Sequence, residues 1–220
     1  MSSTQPLKLT YFGIQGPAEA IRLALAVSKT PFTDELIPGT EWKANKPMNS
    51  PWGQLPYLTL PSGEVYGQSD AILRYVGRLT GLLPTDIIEE FKVNELVGFI
   101  QQDLRDRKVG RSMSIKDPAE KAAYRAELND DVLPKMLDSL VEKMDESGFL
   151  CLGHLTIADL CLYTFLNWIS MGVVDGVDGK ALVLGRPKLL GFMENLSGLE
   201  GVKEWNEEQR KGKIPIDFRA

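Results

Sequence analysis

Histidine and cysteine are nearly missing from this chain. One histidine, His154, and two cysteines, Cys151 and Cys161, stand among 220 residues. Two cysteines cannot build the disulfide framework of a small secreted domain. Their neighbours Phe149, Leu150, Leu160 and Leu162 are apolar, so both cysteines read as buried free thiols. A single histidine leaves no zinc ligand set of the His/Cys kind. A Ser-His-Asp or Cys-His hydrolase would have to use His154 as its base, and no nucleophile signature accompanies it. No run approaches the roughly 18 apolar residues of a membrane-spanning helix. The opening MSSTQPLKLT has no apolar core after a basic stretch, so no secretory signal is expected. A basic excess is also lacking. Lys and Arg number 25 against 30 Asp and Glu, for a net charge of −5, which disfavours nucleic acid or an anionic membrane as the main partner.

What remains is an ordinary globular composition, 43% hydrophobic and 25% charged, arranged in two different ways along the chain. Residues 7–12 alternate Leu7, Leu9 and Tyr11 with Lys8 and Thr10, the period of a strand. Gly13 and Gly16 mark a turn, and residues 17–25 read as a helix with Pro17 at its first position and Glu19 in its first turn. Phe32 to Ile37 is a second strand, with Asp34 and Glu35 suggesting a sheet edge. Leu55 to Leu60 is a third, Pro61-Ser62-Gly63-Glu64 a turn, and Val65-Tyr66 a short fourth. Ser69 is expected to cap the helix that follows. Residues 80–86 form a linker, with Gly81 ending that helix and Pro84 blocking its continuation. Beyond it the signal is helical: 87–110, 118–145 with a bend or break at Pro134, an apolar helix opened by Thr156-Ile157-Ala158-Asp159, and short helices at 187–196 and 199–210. An α/β domain at 1–82 is therefore followed by an all-helical domain at 83–220.

Four features of the first domain carry chemistry. Tyr11 ends a strand just before a turn into a helix, where a hydroxyl can donate to an anion, or where an aromatic can simply pack. Pro56 opens a strand. A cis bond there would turn the Leu55 backbone outward to pair with an extended peptide, whereas a trans proline would be an ordinary strand edge. Gln68-Ser69 at a helix start offers amide donors and a hydroxyl to a carboxylate, or is a plain cap. Trp42 and Lys46, four residues apart, would share a helical face and present an indole N–H and an ammonium to a second carboxylate.

Their order and spacing resemble one family. YFGIQGPAEAIRLAL resembles the first strand and helix of the cytosolic glutathione transferases. WGQLPYL and GQSDAILRYVGRLTGL resemble the rest of their thioredoxin-like domain, and TIADL their late capping motif. The class resembles the tyrosine-type enzymes of the sigma, pi, mu and alpha neighbourhood. The resemblance implies a thioredoxin-like glutathione-binding domain and a helical domain contributing the electrophile pocket, between which the second substrate would sit. It implies Tyr11 as the catalytic hydroxyl, and Trp42 and Lys46 at the glycyl carboxylate. Leu55 would pair its backbone with the cysteinyl part beside a cis Pro56, with Gln54 close by, and Gln68 and Ser69 would hold the γ-glutamyl end. Phe12, Ile14 and residues near Met113 are candidate apolar walls. No metal or redox cofactor is implied; glutathione is a co-substrate. Trp52 falls where relatives carry an aromatic key to the partner subunit, which implies a homodimer. The implied setting is cytoplasmic detoxification of hydrophobic electrophiles.

Two departures stand out. Gln15 occupies the turn where many relatives have arginine. Relatives also carry an aspartate on the first long helix that reaches the neighbouring subunit's glutathione; here Gln102 falls there, with Asp103 one residue later. These departures leave room for a non-catalytic glutathione- or ligand-binding or structural relative. A glutathione-dependent isomerase of the prostaglandin-synthase kind would share the thiolate chemistry. A thiol-disulfide oxidoreductase needs a cysteine after the first strand, and residues 11–17 contain none.

Overall fold

The computed structural model describes residues 6–45 and 50–210. They fall into two units. One runs to Leu83 and takes back the helix that begins at Glu200; the other holds the helices from Pro84 to Leu199. The sequence pattern places the whole of 83–220 in the helical domain, but the helix that begins at Glu200 packs on the first unit.

The first unit is a four-stranded sheet in the order β2-β1-β3-β4, built from β1 (Leu7–Tyr11), β2 (Phe32–Leu36), β3 (Tyr57–Thr59) and β4 (Val65–Gly67). β1 pairs parallel with β2 and antiparallel with β3, and β3 with β4 is an antiparallel hairpin. β1 is interior, so the alternation expected of it fails at one position. Thr10 is fully buried and donates its hydroxyl to Glu35 Oε2 at 2.7 Å. β2 is at the edge, and its acidic residues are paired rather than bare: Lys8 reaches Glu35 at 2.9 Å and Arg22 reaches Asp34 at 3.0 Å. The third strand is shorter than expected because Pro56 has no N–H to give to the ladder.

Helices α1 (Glu19–Val27), α2 (Gly39–Asn45) and α3 (Ser69–Thr80) complete the N-terminal part of this unit. α1 is preceded by one 3-10 turn at Gly16–Ala18, and it packs against α3. Gln68, not Ser69, occupies the N-cap position of α3, with no side-chain capping bond, and Ser69 is already its first helical residue. Gly81 ends α3 in the left-handed conformation, at φ 75°.

In the second unit, α4 (Ile87–Gly98) is capped by the Asp86 side chain and runs without a break into a π-helical stretch, Phe99–Gly110, and then α5 (Arg111–Ser114). α6 (Pro118–Glu127), capped by Asp117, passes through a π turn at Leu128–Val132 into α7 (Leu133–Lys143). The wide turn accommodates Pro134, which lacks the N–H that an α-helix would use; Leu133 N–H reaches back to Leu128 O. α8 (Ile157–Ser170) is buried nearly all round, as its unbroken apolar run predicts. Thr156 and Asp159 close it in a capping box, and Asp159 also accepts from Leu150 N at 2.8 Å. A helix not anticipated from sequence, α9 (Gly179–Leu184), lies so close to α8 that a Cβ on Gly179 would stand 2.4 Å from the Ile169 carbonyl carbon. α10 (Pro187–Gly198) ends the unit, and α11 (Glu200–Arg210) belongs to the first. α11 packs on α1, where a Cβ on Gly201 would stand 2.6 Å from Val27 Cα.

Candidate functional site

The strand registers place the residues singled out from sequence. Thr10 lies opposite Tyr57, and Tyr57 opposite Gly67. One residue further along each strand sets Pro56 level with Tyr11, and Gln68 level with Pro56. Tyr11, Pro56 and Gln68 therefore meet at one end of the sheet on three neighbouring strands. Two strand spacings are roughly 10 Å, about the reach of an extended tripeptide.

Tyr11 is the last residue of β1. Its carbonyl accepts from Ile37 N at 2.9 Å, and the residue is 7% exposed. The hydroxyl lies against the backbone of the 3-10 turn ahead of α1: a methyl group at Gly16 would stand 2.5 Å from Tyr11 Oη. Gly16 has φ 46°, so this position needs glycine both for space and for conformation. The Phe12 ring is 5.3 Å from the Tyr11 ring and meets Trp42 edge-on at 6.3 Å, which ties α2 to the end of β1. Lys46 lies outside the described residues.

On the other side of the sheet end, Gln68 Nε2 donates to Gln54 Oε1 at 3.3 Å. The Leu55–Pro56 bond is cis. Gln68 is held at φ 70°, an uncommon conformation for a residue with a side chain, and Ser69 opens α3 directly behind it. The sheet end thus gathers Tyr11, Gln54, Leu55, Pro56, Gln68 and Ser69, while Trp42 joins through Phe12. Ile14, a candidate wall, is 54% exposed. Met113, the other candidate wall, belongs to the second unit and accepts a contact from Arg125 Nη2 at 3.2 Å.

Sequence reasoning missed the most heavily bonded side chain near Tyr11. Arg22 on α1 is 1% exposed, and its guanidinium carbon sits 5.6 Å from the Tyr11 ring centroid. It donates to Ile14 O at 2.7 Å, Phe12 O at 3.0 Å, Glu19 Oε2 at 3.2 Å and Asp34 Oδ1 at 3.0 Å. Glu19 in turn accepts from Trp205 Nε1 on α11 at 2.9 Å. Burial pushes the Glu19 carboxyl above its ordinary value, against the opposing pull of Arg22 and the indole N–H. The available signal was an arginine inside an otherwise apolar run, Ala20-Ile21-Arg22-Leu23-Ala24-Leu25.

Of the two departures, Gln15 leaves its side-chain oxygen buried and without a hydrogen-bond partner among the described residues. Gln102 and Asp103 lie on the π-helical stretch, Gln102 exposed and Asp103 paired with Arg107 at 2.6 Å. Among the described residues, no cluster of three or more His, Cys, Asp or Glu could hold a metal ion. Cys161 is buried, with Gln101 Nε2 at 3.1 Å from its sulfur. Cys151 is only half-buried, and burial pushes its thiol up to about 11, so it is a poor nucleophile. His154 is exposed, with its ring Nδ1 at 2.8 Å from Leu152 O.

The first unit is a thioredoxin-like domain with its candidate site at one end of the sheet, and the second is a helical domain. The model described as "Glutathione S-transferase, N-terminal domain" matches residues 7–78, and that described as "Glutathione S-transferase, C-terminal domain" matches 102–209. The chain belongs to the glutathione S-transferase family. It is 35% identical to glutathione S-transferase 2 of Manduca sexta over 73% of this chain and 77% of that protein. It is 30% identical to glutathione S-transferase 1 of Ascaris suum over 93% and 97%. Its structure is similar to a sigma-class glutathione transferase of Fasciola hepatica, with a TM-score of 0.79, 27% identity, and 97% and 100% of the two chains covered.

Proposed function

We propose that this member of the family transfers the thiol of glutathione to hydrophobic electrophiles, with Tyr11 donating a hydrogen bond to the thiolate. One observation carries the reading: the Tyr11 hydroxyl is held against Gly16 at the sheet end where Pro56 and Gln68 also lie. A free thiol has a pKa of about 8.5, so only a few per cent is ionised near neutral pH. A hydrogen bond to the charged sulfur favours it, and each unit of depression corresponds to about 1.4 kcal/mol. The thiolate attacks an electrophilic carbon. With a chlorodinitrobenzene the C–S bond forms, the C–Cl bond breaks, chloride leaves with the bonding pair, and the thiol proton goes to solvent. Holding both reactants together removes part of the entropic barrier.

In this reading Gln68 and Ser69 take the γ-glutamyl end, Leu55 pairs its backbone with the cysteinyl part beside Pro56 and Gln54, and Trp42 with Lys46 takes the glycyl carboxylate. Glutathione is the co-substrate, with no metal or redox cofactor. Trp52 is 78% exposed, and Tyr66, Tyr75 and Leu79 of the same unit are exposed as well; large apolar side chains left uncovered support a homodimer. No helix among the described residues is long and apolar enough to cross a membrane, which fits a cytoplasmic enzyme.

The test is the initial rate of conjugation to a chlorodinitrobenzene by the intact chain and by Tyr11→Phe. The rate is expected to fall about tenfold or more in the variant. An active protein indifferent to the substitution would remove Tyr11 from the role.

A further inference from the structure

The Arg22 cluster does more than fill the first unit. Its guanidinium binds the carbonyls of Phe12 and Ile14, which lie on either side of Gly13 in the turn that carries the chain from Tyr11 to Gly16. It also lies over the Tyr11 ring. The turn that sets the Tyr11 hydroxyl against Gly16 is thus tied down by one side chain. That side chain is aimed by two carboxylates, Glu19 on its own helix and Asp34 on β2.

Glu19 is 3% exposed and divides its oxygens: Oε2 faces Arg22, and Oε1 accepts from the Trp205 indole. A buried carboxylate oxygen stripped of its donor is costly, so Glu19 would turn to share what donors remain. The nearest are those of Arg22, which would have to leave the turn carbonyls. Trp205 also packs on Phe32 of β2, ring centres 5.9 Å apart, and α11 is seated on α1 at Gly201. α11 therefore presents one N–H, at a fixed place, to the group that aims Arg22.

We infer that Trp205 on α11 is a positioning residue for Tyr11, acting through Glu19 and Arg22 on the Phe12–Gln15 turn. The inference rests on the reading of Tyr11 as the hydrogen-bond donor to the glutathione thiolate. α11 becomes part of the apparatus that ionises the thiol, although it carries no residue that touches glutathione in that reading.

Trp205→Phe keeps an aromatic ring next to Phe32 while removing the indole N–H together with part of the bicycle. The readout is the ultraviolet absorbance of the glutathione thiolate, titrated in the complex with the full-length chain. The expected result is a thiol pKa raised by about half a unit or more, with kcat/KM down about threefold on the acid side and recovering at alkaline pH, where the thiol ionises unaided. Glutathione affinity is expected to stay within about twofold of the parent. Glu19→Gln, which keeps the shape and removes one acceptor, is expected to shift the thiol in the same direction should Trp205→Phe fold poorly. Tyr11→Phe is the reference. If it shifts the thiol and Trp205→Phe does not, Trp205 only packs α11, and the inference is overturned while the function stands. If Tyr11→Phe leaves the thiol where it was, the reading of Tyr11 fails, and the inference fails with it.

Discussion

Each unit of this molecule buries a carboxylate and closes a helix pair over a glycine, yet the two arrangements do different work. In the helical unit, Asp159 binds three donors: the Thr156 N–H and hydroxyl at 2.8 and 2.7 Å, and Leu150 N at 2.8 Å. All of them are local, and they fix where α8 starts. In the first unit, Glu19 binds a guanidinium and an indole from two helices, and through the guanidinium it reaches the turn beside Tyr11. Burial raises both carboxyls above their ordinary values. The same electrostatic condition thus serves a helix start in one unit and a candidate active site in the other. What separates them is where the bonds lead: those of Asp159 stay within the loop and first turn that open α8, whereas those of Glu19 run through Arg22 to the turn beside Tyr11 and through Trp205 to α11.

The largest effect expected from breaking this comparison is at Asp159. Asp159→Ala strips a buried Thr156 hydroxyl and two backbone N–H groups of their acceptor, and the expected loss is about 3 kcal/mol of stability. Urea unfolding followed by circular dichroism measures it. The glutathione thiol pKa of the folded fraction is expected to stay at its parent value. A shift there would mean that the two carboxylates are not separate in function.

The two glycines sharpen the same point with a smaller effect. Gly179→Ala would push a Cβ into the Ile169 carbonyl carbon at 2.4 Å, and Gly201→Ala into Val27 Cα at 2.6 Å. Each is expected to cost about 1–2 kcal/mol, the overpacking penalty less the helix preference of alanine. Only Gly201→Ala lifts α11 from α1, so only it is expected to raise the bound thiol pKa, in the manner of Trp205→Phe. Equal shifts from both substitutions would mean that any loosening of the chain disturbs the thiol.

Much of this was legible in the sequence, where the signal is local. The alternation of Leu7, Leu9 and Tyr11, the turn at Pro61–Glu64, the stop at Gly81 and the box at Thr156–Asp159 all announce their structures. Tyr11, Pro56 and Gln68 were legible as separate candidates, but their convergence is a property of strand register, which no local signal contains. Arg22 was hidden for the same reason: its partners come from β2, from the turn after β1 and, through Glu19, from residue 205. The π-helical stretch at Phe99–Gly110 has the same apolar residues an α-helix would show. That matters for Gln102 and Asp103, because a rotation of about 100° per residue belongs to the α-helix, and the wider π turn rotates less. α11 joins the first unit because Gly201 and Trp205 fit α1, a match visible only once both helices exist.

A third carboxylate tests whether burial, rather than the number of bonds, sets the direction of the shift. Glu35 on β2 accepts from Thr10 and Lys8, as many partners as Glu19 has, but its side chain is 38% exposed. Its partial burial pushes the carboxyl up, and the hydrogen bonds from Thr10 and Lys8 with the charge of Lys8 outweigh that, leaving it below its ordinary value of 4.5. A depressed folded value means that the folded chain holds the proton less well than the unfolded chain. The stabilisation is therefore complete above the ordinary carboxyl range and disappears as the pH falls through the folded value. Solvent screening keeps it small, about half a kcal/mol or less. Glu35→Gln is expected to lower the urea midpoint slightly at neutral pH, with the difference from the parent closing as the pH falls below about 4. For Glu19 the raised value reverses the sign: its contribution is present below the ordinary carboxyl range and is lost as the pH rises through the folded value. A difference between Glu35→Gln and the parent that widened in acid would place Glu35 with Glu19, and burial would no longer explain why the two differ.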